Sequence, residues 1–131
     1  MTDILTKGYE LYAALNSGDA DALKRLLRGD FKGQLSPGLP RGLGKNYSGL
    51  NAMMGEAWAV VDQLFYLDVK ADQFFDAGEV LIVRGVYDGT ARESGKALRA
   101  PFAHFWEYDG MQFSQLQQIT DTGLWRDSII G

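Results

Sequence analysis

The feature that most constrains the fold is a change of hydrophobic periodicity near Phe65. Before this residue, apolar side chains recur every three or four positions, as they do along one face of a helix; after it, apolar and polar residues alternate, as in half-buried strands. Helices followed by consecutive antiparallel strands predict an α+β domain. A strongly twisted sheet of this kind can curl around a helix and leave a conical cavity.

Three helices are predicted before the change of period. The first has an apolar stripe that starts at Ile4, and it ends at Gly18 because glycine accepts the left-handed conformation of a helix C-terminus. Asp19 can cap a short second helix. A glycine- and proline-rich loop, 36–46, then leads to a third helix from Ser48 to about Leu64.

Four strand-like runs follow, with a helical tail at 122–129. The last two runs flank Asp109-Gly110, a dipeptide that favours two-residue hairpin turns because both central positions need a positive φ. The chain's one histidine, His104, lies midway along the first of these two runs, and Asp121 ends the second. The hairpin can therefore bring an imidazole and a carboxylate near one cavity.

Composition limits the classes of function. A length of 131 residues predicts one domain, 1–131, and 46% hydrophobic residues suffice for a core. The net charge of -4 argues against a nucleic-acid partner. No apolar run reaches the roughly 20 residues of a membrane span, and no secretory leader is evident, so we expect a cytoplasmic domain.

The residue types also argue against several kinds of cofactor. One histidine and no cysteine argue against a dedicated zinc or iron site. The segment 42–47 lacks the third glycine of a dinucleotide fingerprint, and no serine stands in a nucleophile elbow. We therefore expect no cofactor and no metal.

Four stretches carry a resemblance to a known family. They are Ala14–Leu23 at the first helical junction, Tyr47–Leu50 before the long helix, Tyr108–Met111 at the last hairpin, and Gln118–Thr122 at its end. In these stretches the chain resembles the nuclear transport factor 2-like superfamily, and within it the SnoaL-like polyketide-cyclase group. The resemblance implies the cystatin-like fold. The superfamily contains isomerases, cyclases, dehydratases and non-catalytic binding domains, so fold alone does not select an activity.

Asp121 is the first catalytic candidate, since the resemblance implies a general acid/base at this position. It follows Gln117 and Ile119, which we expect on one strand face lining the cavity. An apolar cavity would raise the pKa of its carboxyl group, which suits proton abstraction next to a carbonyl. The alternative is that Asp121 only caps the tail helix.

His104 is the second catalytic candidate. It shares a strand face with Phe102 and Trp106, where an imidazole could move protons near neutral pH. The alternative is a buried histidine whose hydrogen bonds are satisfied within the protein.

The other candidates are substrate contacts. Tyr47, Met54, Trp58 and Phe102 could form an adaptable wall for a flat hydrophobic molecule, although each could also be plain core. Arg84 would need an anionic ligand or a partner if it faced the cavity, whereas on the outer face, which we favour, it is an ordinary cross-strand partner.

The sequence thus predicts a pocket protein for a small apolar or aromatic ligand. It is either a cofactor-independent cyclase, isomerase or dehydratase acting on a carbonyl compound, or a non-catalytic binding or interaction domain of the same fold. We also expect a homodimer. Relatives of the fold often pair through the outer sheet face. This sheet carries more apolar residues than one inner face needs, among them Phe105, Phe113 and Leu116.

Overall fold

Six strands form one curved, mixed sheet in the computed structural model, which describes residues 2–130. The strands are β1 (Leu27–Gln34), β2 (Asn46–Ser48), β3 (Phe65–Asp76), β4 (Val80–Ala91), β5 (Ala97–Tyr108) and β6 (Phe113–Thr120). Their order is β2-β1-β6-β5-β4-β3, with β1 parallel to β6 and the other neighbours antiparallel. The predicted α+β class and the run of four antiparallel strands are confirmed.

The helices lie where the helical periodicity predicts them. They are α1 (Asp3–Ser17), α2 (Ala20–Leu26), α3 (50–64) and α4 (Thr122–Ile129). Gly18 ends α1 with a φ of 66°, and the Asp19 carboxylate accepts a hydrogen bond from the Ala22 amide at the start of α2. Of the helices in the described residues, none is both long enough and apolar enough to cross a bilayer.

The third helix differs from its prediction in two ways. It begins at Leu50, because Ser48 is still in β2, opposite Lys32 of β1, and Gly49 takes a φ of 92° at the N-cap. Its middle, Met53–Trp58, is a π-helix between the α-helical segments Leu50–Ala52 and Ala59–Leu64. Such wide turns often occur at functional sites, and this one carries two residues of the cavity described below.

The last hairpin also differs from the expected two-residue turn. Four residues, 109–112, link β5 to β6, and the Asp109 carboxylate accepts hydrogen bonds from the Met111 and Gln112 amides. The register shifts next to this loop: Tyr108 of β5 pairs with Phe113, whereas Glu107 pairs with Gln115. This bulge adds one residue to β6, and an odd shift turns every later side chain to the opposite face.

The bulge decides which side of β6 is buried. Leu116 and Gln118 face the interior, whereas Gln117 and Ile119 are exposed. The expectation that Gln117 lines the cavity is therefore wrong. The expectation that Phe113 and Leu116 lie on the outer face is also wrong, since they are 0% and 2% exposed.

Candidate functional site

A cavity of about 300 Å³ lies between the helices and the inner face of the sheet. Its lining residues are Leu15, Gly18, Ala20, Leu23, Leu35, Leu39, Met54, Trp58, Ala59, Val61, Asp62, Leu67, Val69, Tyr87, His104, Trp106, Leu116, Gln118 and Trp125. The predicted wall residues Met54 and Trp58 are among them. All three tryptophans of the chain line the cavity. Trp106 and Trp125 are 0% and 1% exposed, so the half-buried Trp58 is the one that offers an aromatic ligand a stacking surface.

The polar part of the wall is centred on His104. The imidazole is buried, and its two nitrogens each contact a tyrosine hydroxyl: Tyr12 lies 2.6 Å from Nδ1 and Tyr87 lies 2.6 Å from Nε2. Tyr12 reaches the ring from α1, whereas Tyr87 comes from β4. The histidine therefore joins a helix to the sheet through two buried hydrogen bonds.

Further donors complete this cluster. The Trp106 indole donates to the Tyr12 hydroxyl at 2.9 Å, and the Gln118 amide nitrogen donates to the Tyr87 hydroxyl at 2.7 Å. The Gln118 carbonyl oxygen accepts from the Ser36 backbone amide at 3.2 Å. Because that amide can only donate, it fixes which end of the Gln118 side chain faces Tyr87.

Burial controls the charge of the cluster. Desolvation lowers the pKa of His104 to about 3, because burying an imidazolium is costly and no acid among residues 2–130 compensates that cost. Desolvation likewise raises the pKa of Tyr12 and Tyr87 above the ordinary value for a phenol. The whole cluster is neutral near pH 7. The expected proton shuttle at His104 would need a pKa near neutrality, so the structure argues against that role.

Asp121 lies apart from this cluster. It is exposed, it is not among the residues that line the cavity, and its carboxylate accepts a hydrogen bond from the Leu124 amide as the N-cap of α4. The expectation that it opens into the cavity is wrong, because Asp121 follows the outward-facing residues of β6 beyond the bulge. Its catalytic role stays a prediction without support from this placement.

The remaining predicted contacts lie outside the cavity wall. The Phe102 ring stacks on His104 with centroids 4.0 Å apart, behind the imidazole. The Tyr47 hydroxyl donates to the Leu43 carbonyl, and Arg84 is exposed on the outer face, where it donates to Gln73. Arg84 therefore lies on the outer face of the sheet, as favoured from the sequence.

In the part of the chain that the structure describes, one carboxylate lines the cavity. Asp62 of α3 lies at the rim, where its side chain is 86% exposed and 3.9 Å from the Arg92 guanidinium. Sequence reasoning missed this residue, as it missed Tyr12, Tyr87 and Gln118. The available signal was a tyrosine hydroxyl in the apolar stripe of α1, which needs a buried partner from another element.

Comparisons with known proteins support the fold. A model of the SnoaL-like domain family matches residues 9–114. A search of curated proteins finds no match. An NTF2-like protein from Burkholderia thailandensis E264 is 23% identical, with a TM-score of 0.90 over 100% of both chains.

Two further solved structures are similar. TerC, co-crystallised with polyporic acid, is 20% identical, with a TM-score of 0.86 over 97% of this chain and 98% of its own. A presumed SnoaL-like polyketide cyclase from Jannaschia sp. CCS1 is 12% identical, with a TM-score of 0.81 over 95% of this chain and 90% of its own. At identities of 12% to 23%, the similarity to these structures shows a shared fold only. The family model, in contrast, matches most of the sequence. The chain belongs to the SnoaL-like domain family.

Proposed function

We propose that the protein binds a small, flat and largely apolar molecule that carries one polar group. The cavity carries this proposal: its wall is apolar and aromatic apart from Tyr87, His104 and Gln118, which lie together, and Asp62 at the rim. Ligand pockets typically combine such a wall with a few convergent polar groups, and about 300 Å³ is at the small end of their range.

Binding can be measured with 1-tetralone, a flat bicyclic ketone, by quenching of the tryptophan fluorescence. We expect saturable quenching with a dissociation constant on the order of 0.1 to 1 mM, as the size of this probe allows. Ala59→Phe, which fills the cavity, should weaken binding roughly tenfold or more. Ala13→Phe, on the exposed side of α1, is the matched control and should bind as the parent does. Equal affinity in the two variants would place the probe elsewhere.

A proton-transferring enzyme of the cyclase or isomerase type is the second candidate function. Hydrogen-bond donors grouped in an apolar cavity stabilise a developing enolate oxygen, and Tyr87 and Gln118 supply them. The similarity to a presumed polyketide cyclase favours the same chemistry. Asp62 then competes with Asp121 for the role of base, because Asp62 is the carboxylate on the cavity wall.

Exchange of the α-protons of 1-tetralone in D₂O distinguishes an enzyme from a binding protein, and it distinguishes Asp62 from Asp121 as the base. If the protein is an enzyme with Asp62 as base, Asp62→Asn should slow exchange roughly 100-fold, the usual contribution of a positioned base. Asp121→Asn should leave exchange and stability nearly unchanged, since asparagine also caps helices. Asp121→Ala should cost about 1 kcal/mol of unfolding free energy. Loss of exchange in Asp121→Asn alone would restore Asp121 as the base, and no exchange in the parent would leave only the binding function.

The proposal includes a homodimer formed through the outer face of the sheet. Across three adjacent strands, Phe75, Ile82 and Phe105 lie side by side in register, and the exposed Ile119 flanks them on β6. Contiguous apolar surface of this kind typically marks an interface. We expect light scattering to give about twice the chain mass of 14.5 kDa.

Ile119→Lys tests the interface. It should shift the mass to that of one chain at micromolar concentration, because each dimer would bury a pair of unpaired ammonium groups. Met111→Lys is the matched control: Met111 is 74% exposed in the β5–β6 loop, outside the apolar patch. A monomeric parent, or a dimer that survives Ile119→Lys, contradicts the proposal. The cytoplasmic location expected from the sequence stays a prediction.

A further inference from the structure

The buried cluster holds one more proton than its internal hydrogen bonds can use. Tyr12, Tyr87 and the neutral imidazole of His104 each bring one proton, but only two contacts join them, one at Nδ1 and one at Nε2. The imidazole proton must occupy one of these contacts. The tyrosine that accepts it is then left with its own O–H proton to donate elsewhere.

The surroundings decide which tyrosine holds the surplus proton. Tyr12 is buried and is not among the residues that line the cavity. Among the described residues, the hydrogen-bond partners of its hydroxyl are His104 and the Trp106 indole, which donates. A surplus proton there would lack an acceptor, which is costly in the interior. Tyr87 lines the cavity, and so do His104 and Gln118, the two residues that contact its hydroxyl. The proton of that hydroxyl can therefore be used by a bound molecule.

We infer that Tyr12 donates to Nδ1 of His104, that Nε2–H donates to the Tyr87 oxygen, and that the Tyr87 O–H points into the cavity as the donor for a ligand's acceptor atom. The Tyr87 oxygen already accepts from Nε2–H and from the Gln118 amide, so its lone pairs are used and it has only a proton to offer. The ligand therefore presents a carbonyl or another acceptor to Tyr87. Tyr12 is a positioning residue that acts through the imidazole.

This inference rests on the proposed binding function, whose polar anchor it identifies. Two donors to the Tyr87 oxygen also polarise its O–H, because hydrogen bonds in a chain strengthen one another. The site would thus favour the oxyanion form of a carbonyl ligand over the neutral form. That preference is the one an enolate-forming enzyme needs.

The proton arrangement can be tested without any ligand. His104 is the only histidine, so ¹⁵N-histidine labelling of the tag-free protein gives signals from a single imidazole. We expect a pyrrole-like Nε2 and a pyridine-like Nδ1, both constant between pH 8 and pH 5. In Tyr12→Phe the fixed tautomer should be lost, with both nitrogens moving toward averaged shifts. A protonated Nδ1 in the parent overturns the inference.

The donor role is tested with a pair of probes that differ in one group. Tetralin has the ring system of 1-tetralone but no carbonyl. We expect Tyr87→Phe to weaken 1-tetralone binding about fivefold to tenfold, the contribution of one hydrogen bond, while tetralin binding is unchanged. In the parent protein, the infrared carbonyl band of bound 1-tetralone should move to lower wavenumber, a result that needs no variant to fold.

The outcomes separate this inference from the proposed function. Equal binding of both probes by the parent, with no carbonyl shift, overturns the donor role of Tyr87 while the pocket stands. If neither probe binds, the proposed function fails for this ligand class, and the nitrogen shifts still decide the proton arrangement.

Discussion

Lowering the pH from 7 to 4.5 should remove about 2 to 3 kcal/mol from the free energy of unfolding, and His104 should account for most of the loss. The pKa of His104 is about 3 in the folded chain, because the buried ring faces two neutral tyrosines, the Trp106 indole and the Phe102 ring. In the unfolded chain the pKa is about 6.5. Below pH 6.5 the unfolded chain therefore binds a proton that the folded chain excludes, so stability falls as the pH drops toward 3.

Urea denaturation at half-unit steps of pH measures this loss. His104→Gln removes the titrating group, so its unfolding free energy, although lower at pH 7, should stay nearly flat down to pH 4.5. Asp30, Asp88 and Asp109 have pKa values lowered below the ordinary 3.8, chiefly by hydrogen bonds to Arg28, Lys70 and the 111–112 backbone, and their contribution is lost only at still lower pH. If the unfolding free energy of His104→Gln fell with pH as steeply as that of the parent, His104 would not be the source of the loss.

Gly89→Ala should destabilise the fold by roughly 3 kcal/mol or more. A Cβ at Gly89 would lie 1.9 Å from the backbone oxygen of Tyr66 on the neighbouring strand β3, and backbone atoms cannot rotate away as a side chain can. Only separation of β3 from β4 would relieve the overlap, at the cost of ladder hydrogen bonds. These two strands carry Leu67, Val69 and Tyr87 of the cavity wall, so ligand binding should weaken as well.

Gly55→Ala is the matched control for this variant. Gly55 lies on the exposed side of α3, and a Cβ there would meet nothing within 4 Å. Since alanine favours helix by up to about 1 kcal/mol over glycine, this variant should be as stable as the parent or more so. Thermal unfolding of the two variants and the parent measures both differences in stability. A Gly89→Ala protein within 1 kcal/mol of the parent would mean that the two strands separate at little cost.

Much of the architecture could be predicted because it depends on local pattern. The change of period near Phe65 predicted helices before sheet, and Gly18 and Asp19 marked the junction of α1 and α2. The alternation in β5 grouped His104 with Phe102 and Trp106 on one strand face, which the structure shows to be the buried face. The helical wall residues Met54 and Trp58 followed from the same kind of reasoning. In each case the side chain's direction follows from its own segment.

The polar half of the site depended on contacts between distant segments. Nothing in the sequence near His104 indicates that Tyr12, more than ninety positions earlier, and Tyr87 meet its two nitrogens. Nor does the Asp109-Gly110 dipeptide reveal the bulge that follows it, which turned Gln118 inward and left Gln117 and Asp121 outside.

Hydrophobic periodicity over a few residues predicts the order of helices and strands, and it groups His104 with Phe102 and Trp106 on one strand face. The tyrosines at the imidazole and the carboxylate at the cavity rim follow from packing between distant segments, which no local pattern encodes. In β6 the cause is register, because one extra residue reverses the face of every side chain that follows.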